Sequence, residues 1–167
     1  MHETRLPEPW LSGTHTEIPP VQRAVLHALE LAKDDLQKWC GSLTDDQLNA
    51  RPANIAPVAF HIRHIARSID RLLTYAEGRE LDADQTAKLN TELVPGATHD
   101  EAFAELLAAL AASSTRIRDF STGQLAESRA VGKKQLPTTV AGLLVHIADH
   151  TQRHVGQAIT TSKIVLG

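Results

Sequence analysis

Four stretches of the chain carry apolar residues at every third to fourth position, the spacing of a helix with one face in a core. The first begins at Val21, directly after a proline suited to a first helical position. Its stripe is Val25, Leu29, Ala32, Leu36 and Trp39, and Gly41 supplies the stop. The second starts near Pro57 and runs to Ala76, with Val58, Ile62, Ile65, Ile69, Leu72 and Leu73 on its stripe and Glu77-Gly78 at its end. The third spans roughly Asp100 to Phe120, capped by Thr98 or Asp100. The fourth starts around Thr138–Thr139 and continues to about Val165. Between the first two, Thr44 and Gln47 match a capping box that opens a short helical turn, which Arg51-Pro52 breaks. The segments 79–98 and 121–137 are polar and hold Pro95-Gly96, Gly123, Gly132 and Pro137. They read as two long connections, the first with room for one irregular turn.

Each stripe must be buried against its neighbours, so the expected fold is all-α, a four-helix bundle with long crossover connections. The topology need not be simple up-down-up-down. Pro7, Pro9, Gly13 and Pro19 make residues 1–19 an irregular arm, which Trp10 and Leu11 are expected to tack onto the body. Residues 20–167 then form the single bundle domain. Aromatic residues are only 4% of the chain, so the core must be built from Leu, Ala, Ile and Val, which suits packed helices better than a sheet.

The net charge of −3, with no basic block longer than Lys133-Lys134, gives no footprint for nucleic acid. Charges interrupt every apolar run too early for a membrane span, and the first residues lack the apolar run of a signal peptide. Cys40 is the only cysteine, which excludes an intrachain disulfide and a cysteine-based zinc motif. These features point to a cytoplasmic domain with neither nucleic acid nor membrane as partner.

Histidine is where the sequence departs from the ordinary. Of nine histidines, His61, His64, His146, His150 and His154 fall in two short segments. Imidazole is the commonest metal ligand and the usual proton carrier near neutral pH. On a helical wheel, His154 lies about 40° from the centre of the inward face of the fourth helix, His150 about 80° and His146 about 120°. His150 and His154 are four apart, stack on one side of the helix and can converge on one ion, as in zinc-binding HExxH helices. The glutamate of that motif is missing, so the zinc-protease reading fails. On the second helix His61 lies about 60° off the stripe and His64 about 120°, so orientation alone favours His61 as the inward residue.

The segment from Val58 to Asp70, VAFHIRHIARSID, resembles the second-helix signature of the DinB/YfiT-like family. The segment from His146 to Gln157, HIADHTQRHVGQ, resembles that family's last-helix signature, a pair of histidines four apart followed by Gly-Gln. The resemblance implies a DinB/YfiT-like bundle and a divalent metal held by His64, His150 and His154, which chooses His64 over the His61 of the wheel. His61, His146, Tyr75 and Gln157 are then candidates for outer contacts to ligands or substrate, as are Asp70 and Arg71, which cannot both face the site. Gly156 fits a place where helices approach closely.

Three imidazoles leave at least one coordination position open, the arrangement of a catalytic zinc site. A water there has a lowered pKa, and a thiol there is bound as the more nucleophilic thiolate. The resemblance therefore implies a metal-dependent enzyme, hydrolase-like towards a small-molecule substrate or an S-transferase using a low-molecular-weight thiol. A non-catalytic, stress-related metal-binding bundle is the alternative. Zinc is the expected ion and nickel a second. The resemblance also implies a possible homodimer. Cys40 reads as a small buried apolar residue, and His27 has no assigned role.

Overall fold

All four apolar stripes are helices in the computed structural model, which describes residues 7–167. The first six residues of the expected arm lie outside the described residues. The long helices are α1 (Pro20–Cys40), α3 (Val58–Ala76), α5 (His99–Arg118) and α6 (Val140–Leu166), joined through the short α2 (Asp45–Asn49) and α4 (Ala83–Asn90). Their ends follow from local chemistry. Thr98 and Glu101 form a capping box at the start of α5, and the Thr139 hydroxyl accepts from the Gly142 N–H at the start of α6. Gly78 closes α3 at φ +75°, a left-handed conformation that glycine adopts without a Cβ penalty. There the Arg79 N–H reaches Thr74 O and the Gly78 N–H reaches Tyr75 O, so the last carbonyls are satisfied.

The core is aliphatic, as the scarcity of aromatics requires. Leu36, Ile62, Ile65, Ile69, Leu73, Leu144 and Ile147 are all fully buried. α6 packs against α1 and α3, and α3 against α5 as well, while α1 meets α5 more sparsely. Around the bundle the order is therefore α1, α6, α3, α5. The chain crosses the bundle diagonally between α1 and α3 and again between α5 and α6. Leu43 and Leu48, both buried, fix the first of these crossings. None of the described helices is long and apolar enough to cross a membrane.

Three details differ from expectation. The connection 79–98 contains α4, an eight-residue helix opened by a capping box of Asp82 and Gln85. Its only buried residue is Gln85, so it has no apolar stripe to betray it. Gln85 Nε2 donates to Asp70 Oδ2 at 2.7 Å and to Thr74 Oγ1 at 2.8 Å, while Arg116 of α5 binds Asp70 and Glu77. This polar network ties α4 to α3 and α5. The connection 121–137 overlaps an antiparallel hairpin, β1 (Ser128–Val131) with β2 (Leu136–Thr139), whose second strand leads directly into α6.

The arm packs Ile18, partly buried, against the core, but Trp10 and Leu11 do not tack it down, being 61% and 58% exposed. Polar contacts also hold it: Thr14 Oγ1 to His27 Nε2 at 3.1 Å, His15 Nε2 to Glu30 Oε1 at 2.6 Å, and Arg118 to Glu17 at 3.1 Å and to His15 Nδ1 at 2.9 Å. Arg118 can only donate, so the proton of His15 belongs on Nε2, where Glu30 accepts it. His27 thereby gains a structural role.

Ile65→Ala should lower the free energy of unfolding by about 2–5 kcal/mol, read as a lower urea midpoint at unchanged slope. Trp10→Ala should change it by less than about 0.5 kcal/mol.

Candidate metal centre

Contact between α3 and α6 is the most extensive between any two described elements, and it brings the two histidine-bearing segments face to face. One nitrogen from each of His64, His150 and His154 lies within 4.8 Å of the others. His64 Nε2 is 3.3 Å from His150 Nε2, and the ring of His154 is centred 4.4 Å from that of His64 and 4.6 Å from that of His150.

What turns these nitrogens inward is a second layer of contacts on their outer edges. His64 Nδ1 lies 2.6 Å from Glu92 Oε2, and Glu92 Oε1 accepts from Arg71 Nη1 at 2.6 Å. A carboxylate only accepts, so His64 carries its proton on Nδ1 and its lone pair on Nε2. Ser68 Oγ donates to Ile65 O at 3.2 Å and lies 3.4 Å from His150 Nδ1, which places it to accept from that nitrogen. His154 Nδ1 is 3.0 Å from His61 Nδ1. All three outer nitrogens are engaged; His64 and His150 thereby turn bare Nε2 atoms inward, and His154 does the same in the tautomer that donates from its Nδ1 to His61 Nδ1. Lone pairs facing one another at this range repel unless a cation lies among them, so the donor set fits a divalent transition metal.

Electrostatics agree. Burial, followed by the neighbouring His64, pushes the His61 imidazole down to about 4. Burial, then His64, His146 and Arg153, push His150 down to about 4. Burial, then His64, His150, His61 and Arg153, push His154 down to about 3. Each is neutral at physiological pH, the form that ligates a metal. Burial raises the Glu92 carboxyl, but hydrogen bonds from His64 and Arg71 outweigh it and hold the group below its ordinary value.

The remaining candidates are placed as follows. His61 is buried and touches the cluster through His154. His146 is exposed, with its ring 5.3 Å from that of His150 and Nδ1 3.0 Å from Asp149 Oδ1. Tyr75 is half-buried against the core and makes neither a hydrogen bond nor a ring contact with the described histidines. Gln157 is exposed and lines a groove beside His61. Arg71 serves the site through Glu92, whereas Asp70 turns to Gln85 and Arg116. Cys40 is fully buried, and burial raises its thiol to about 11, which leaves it inert as a nucleophile. Gly156 does not mark a close helix approach: a Cβ there would meet nothing within 4 Å.

Sequence reasoning missed Glu92 and Ser68. Ser68 stands one turn beyond His64 on α3, a spacing that could have drawn attention to it. Glu92 lies in the polar connection and carries no local signal.

The fold is a helical bundle that carries a histidine triad able to hold a metal. The chain belongs to the DinB superfamily, whose sequence profile matches residues 28–158, and that family is metal-binding in general. The fold is similar to that in the crystal structure of a conserved protein from Enterococcus faecalis. The TM-score is 0.72 over 88% of this chain and 98% of that one, at 21% identity, which bears on fold alone. No functionally curated protein matches the sequence.

Histidines held neutral in the fold but titrating near 6.5 when unfolded make stability pH-dependent. The unfolded chain binds more protons between that value and the folded values of about 3–4. The stabilisation is therefore complete above about pH 6.5 and is lost as pH falls towards 4. Urea unfolding of chelator-treated protein should show lower stability at about pH 5 than at about pH 7.5, and the difference should shrink in His150→Gln/His154→Gln.

Proposed function

We propose that the protein is a metal-dependent enzyme in which His64, His150 and His154 hold one divalent ion, zinc in the first instance and nickel as a second, to act on a small-molecule substrate. The observation that carries this reading is the engagement of every outer nitrogen by Glu92, Ser68 or His61, with one ring nitrogen from each of His64, His150 and His154 gathered within 4.8 Å of the others. Three protein ligands leave a coordination position free, as catalytic sites do and structural sites do not. When bound, the ion supplies Lewis acidity that lowers the pKa of a water, or of a thiol, in that position.

The chain's own groups have separable tasks. Glu92 fixes the tautomer and ring plane of His64, and Arg71 keeps Glu92 charged and in place. Phe60 stacks on the His64 ring at 5.2 Å and covers one side of the cluster. His61 backs His154 through Nδ1, and the exposed His146, paired with Asp149, stands beside His150. Glu92 is committed to two hydrogen bonds and is not available as a general base. Hydrolysis by an activated water is the reaction favoured here, because the cluster supplies neutral nitrogen ligands but no nucleophile of its own.

Protein purified without a histidine tag should hold about one equivalent of zinc by elemental analysis. His64→Ala, and the pair His150→Ala/His154→Ala, should reduce this to trace amounts. Unchanged metal content in both would rule the triad out. Glu92→Gln keeps the shape but removes the negative charge that faces His64, and should weaken zinc by about 10–100-fold in a competition titration. A screen of ester and amide hydrolysis should find turnover that chelator abolishes and His64→Ala lacks.

A further inference from the structure

We infer that the groove between the start of α3 and the middle of α6 recognises a small anionic molecule with an apolar body. This inference rests on the triad being the reaction centre. The groove, of about 560 Å³, has Ile55, Ala56 and Phe60 on one wall and Arg153, Gly156 and Gln157 on the other. Its volume falls within the usual range of small-molecule sites.

Three observations carry the assignment. The first is continuity with the triad. His61 lines the groove and lies 3.0 Å from His154 through Nδ1, while Phe60 forms a wall and packs on the rings of His64 and His154. A ligand in the groove is one side chain away from the metal ligands.

The second is charge. Among the described residues that line the groove none is acidic, and Arg153 brings a positive charge there. Its one partner is Asp149, a turn back on the same exposed helix face, at a marginal 3.5 Å. Gln157 adds an amide with donor and acceptor, so the polar wall suits a carboxylate. The opposite wall offers a ring and two aliphatic side chains to the rest of the molecule.

The third is Gly156. Glycine inside a helix lowers its stability, and a side chain here would collide with nothing. Packing gives no reason for glycine at this position. An occupant lying across this part of the helix does.

The test is an amide chemical-shift titration of the chelator-treated full chain with naphthoate and with naphthalenemethanol, which share a ring system and differ in charge. Naphthoate should shift the amides of Phe60, Arg153, Gly156 and Gln157 and bind about tenfold more tightly than the alcohol. Arg153→Gln should abolish that preference. Gly156→Leu, with its dispersed spectrum confirming the fold, should weaken both compounds at least about tenfold. Equal affinity of the two compounds, shifts that map away from the groove, or a Gly156→Leu variant that binds as the parent does would each overturn the inference. A parallel zinc titration separates the two readings. Absent zinc binding would sink the triad and with it the groove's place beside a reaction centre, whereas the naphthoate preference reports on anion recognition alone.

Discussion

The packing of α3 on α6 is the constraint on which the rest depends. Histidines four apart on α6 share a side of that helix, but two ligands from one helix cannot surround an ion. The third must come from across an interface rigid enough to hold it within tenths of an ångström. Fully buried aliphatic residues of α3 and α6, Ile62 and Ile65 with Leu144 and Ile147, supply that rigidity directly beside the histidines. The diagonal crossings of the chain serve the same end. They place α6, last in sequence, between α1 and α3.

Holding backbones at the right separation is not sufficient, because an imidazole has two nitrogens and can turn either one inward. At His64 and His150 the outer contacts decide. At His64 the choice is made by a charged group, Glu92, itself kept ionised by Arg71 in a place where a lone carboxylate would resist burial. At His150 and His154 the partners are neutral, a serine hydroxyl and another imidazole. One formal negative charge beside three neutral imidazoles would leave a divalent ion held there only partly compensated. The neighbourhood would then stay electropositive, in keeping with the anion recognition proposed for the groove next to it.

Much of this was legible in the sequence, and the exceptions have physical causes. The four long helices announce themselves because each buries an apolar stripe with a period near 3.6. α4 does not, because it is held by Gln85 and a polar network instead of by apolar burial; its Asp82–Gln85 capping box was the signal available. The hairpin is short and half-exposed, with no alternating apolar pattern. On α3 the wheel correctly placed His61 deeper than His64, yet depth is not direction. α3 meets both α5 and α6, so a wide arc of it is covered, and His64 reaches the cluster from the flank. Glu92 lies 28 positions from His64 along the chain, and a pairing set by tertiary geometry leaves no trace in local spacing.

The most direct measurement is a crystal structure of zinc-soaked protein with anomalous diffraction at the zinc edge. One strong peak should lie among His64, His150 and His154, with three Nε2 contacts at about 2.0–2.2 Å. His64 Nδ1 should remain on Glu92 and His154 Nδ1 on His61. A peak ligated by His61 in place of His64, by Nδ1 in place of Nε2 on His64, or found only elsewhere on the molecule, would contradict the account.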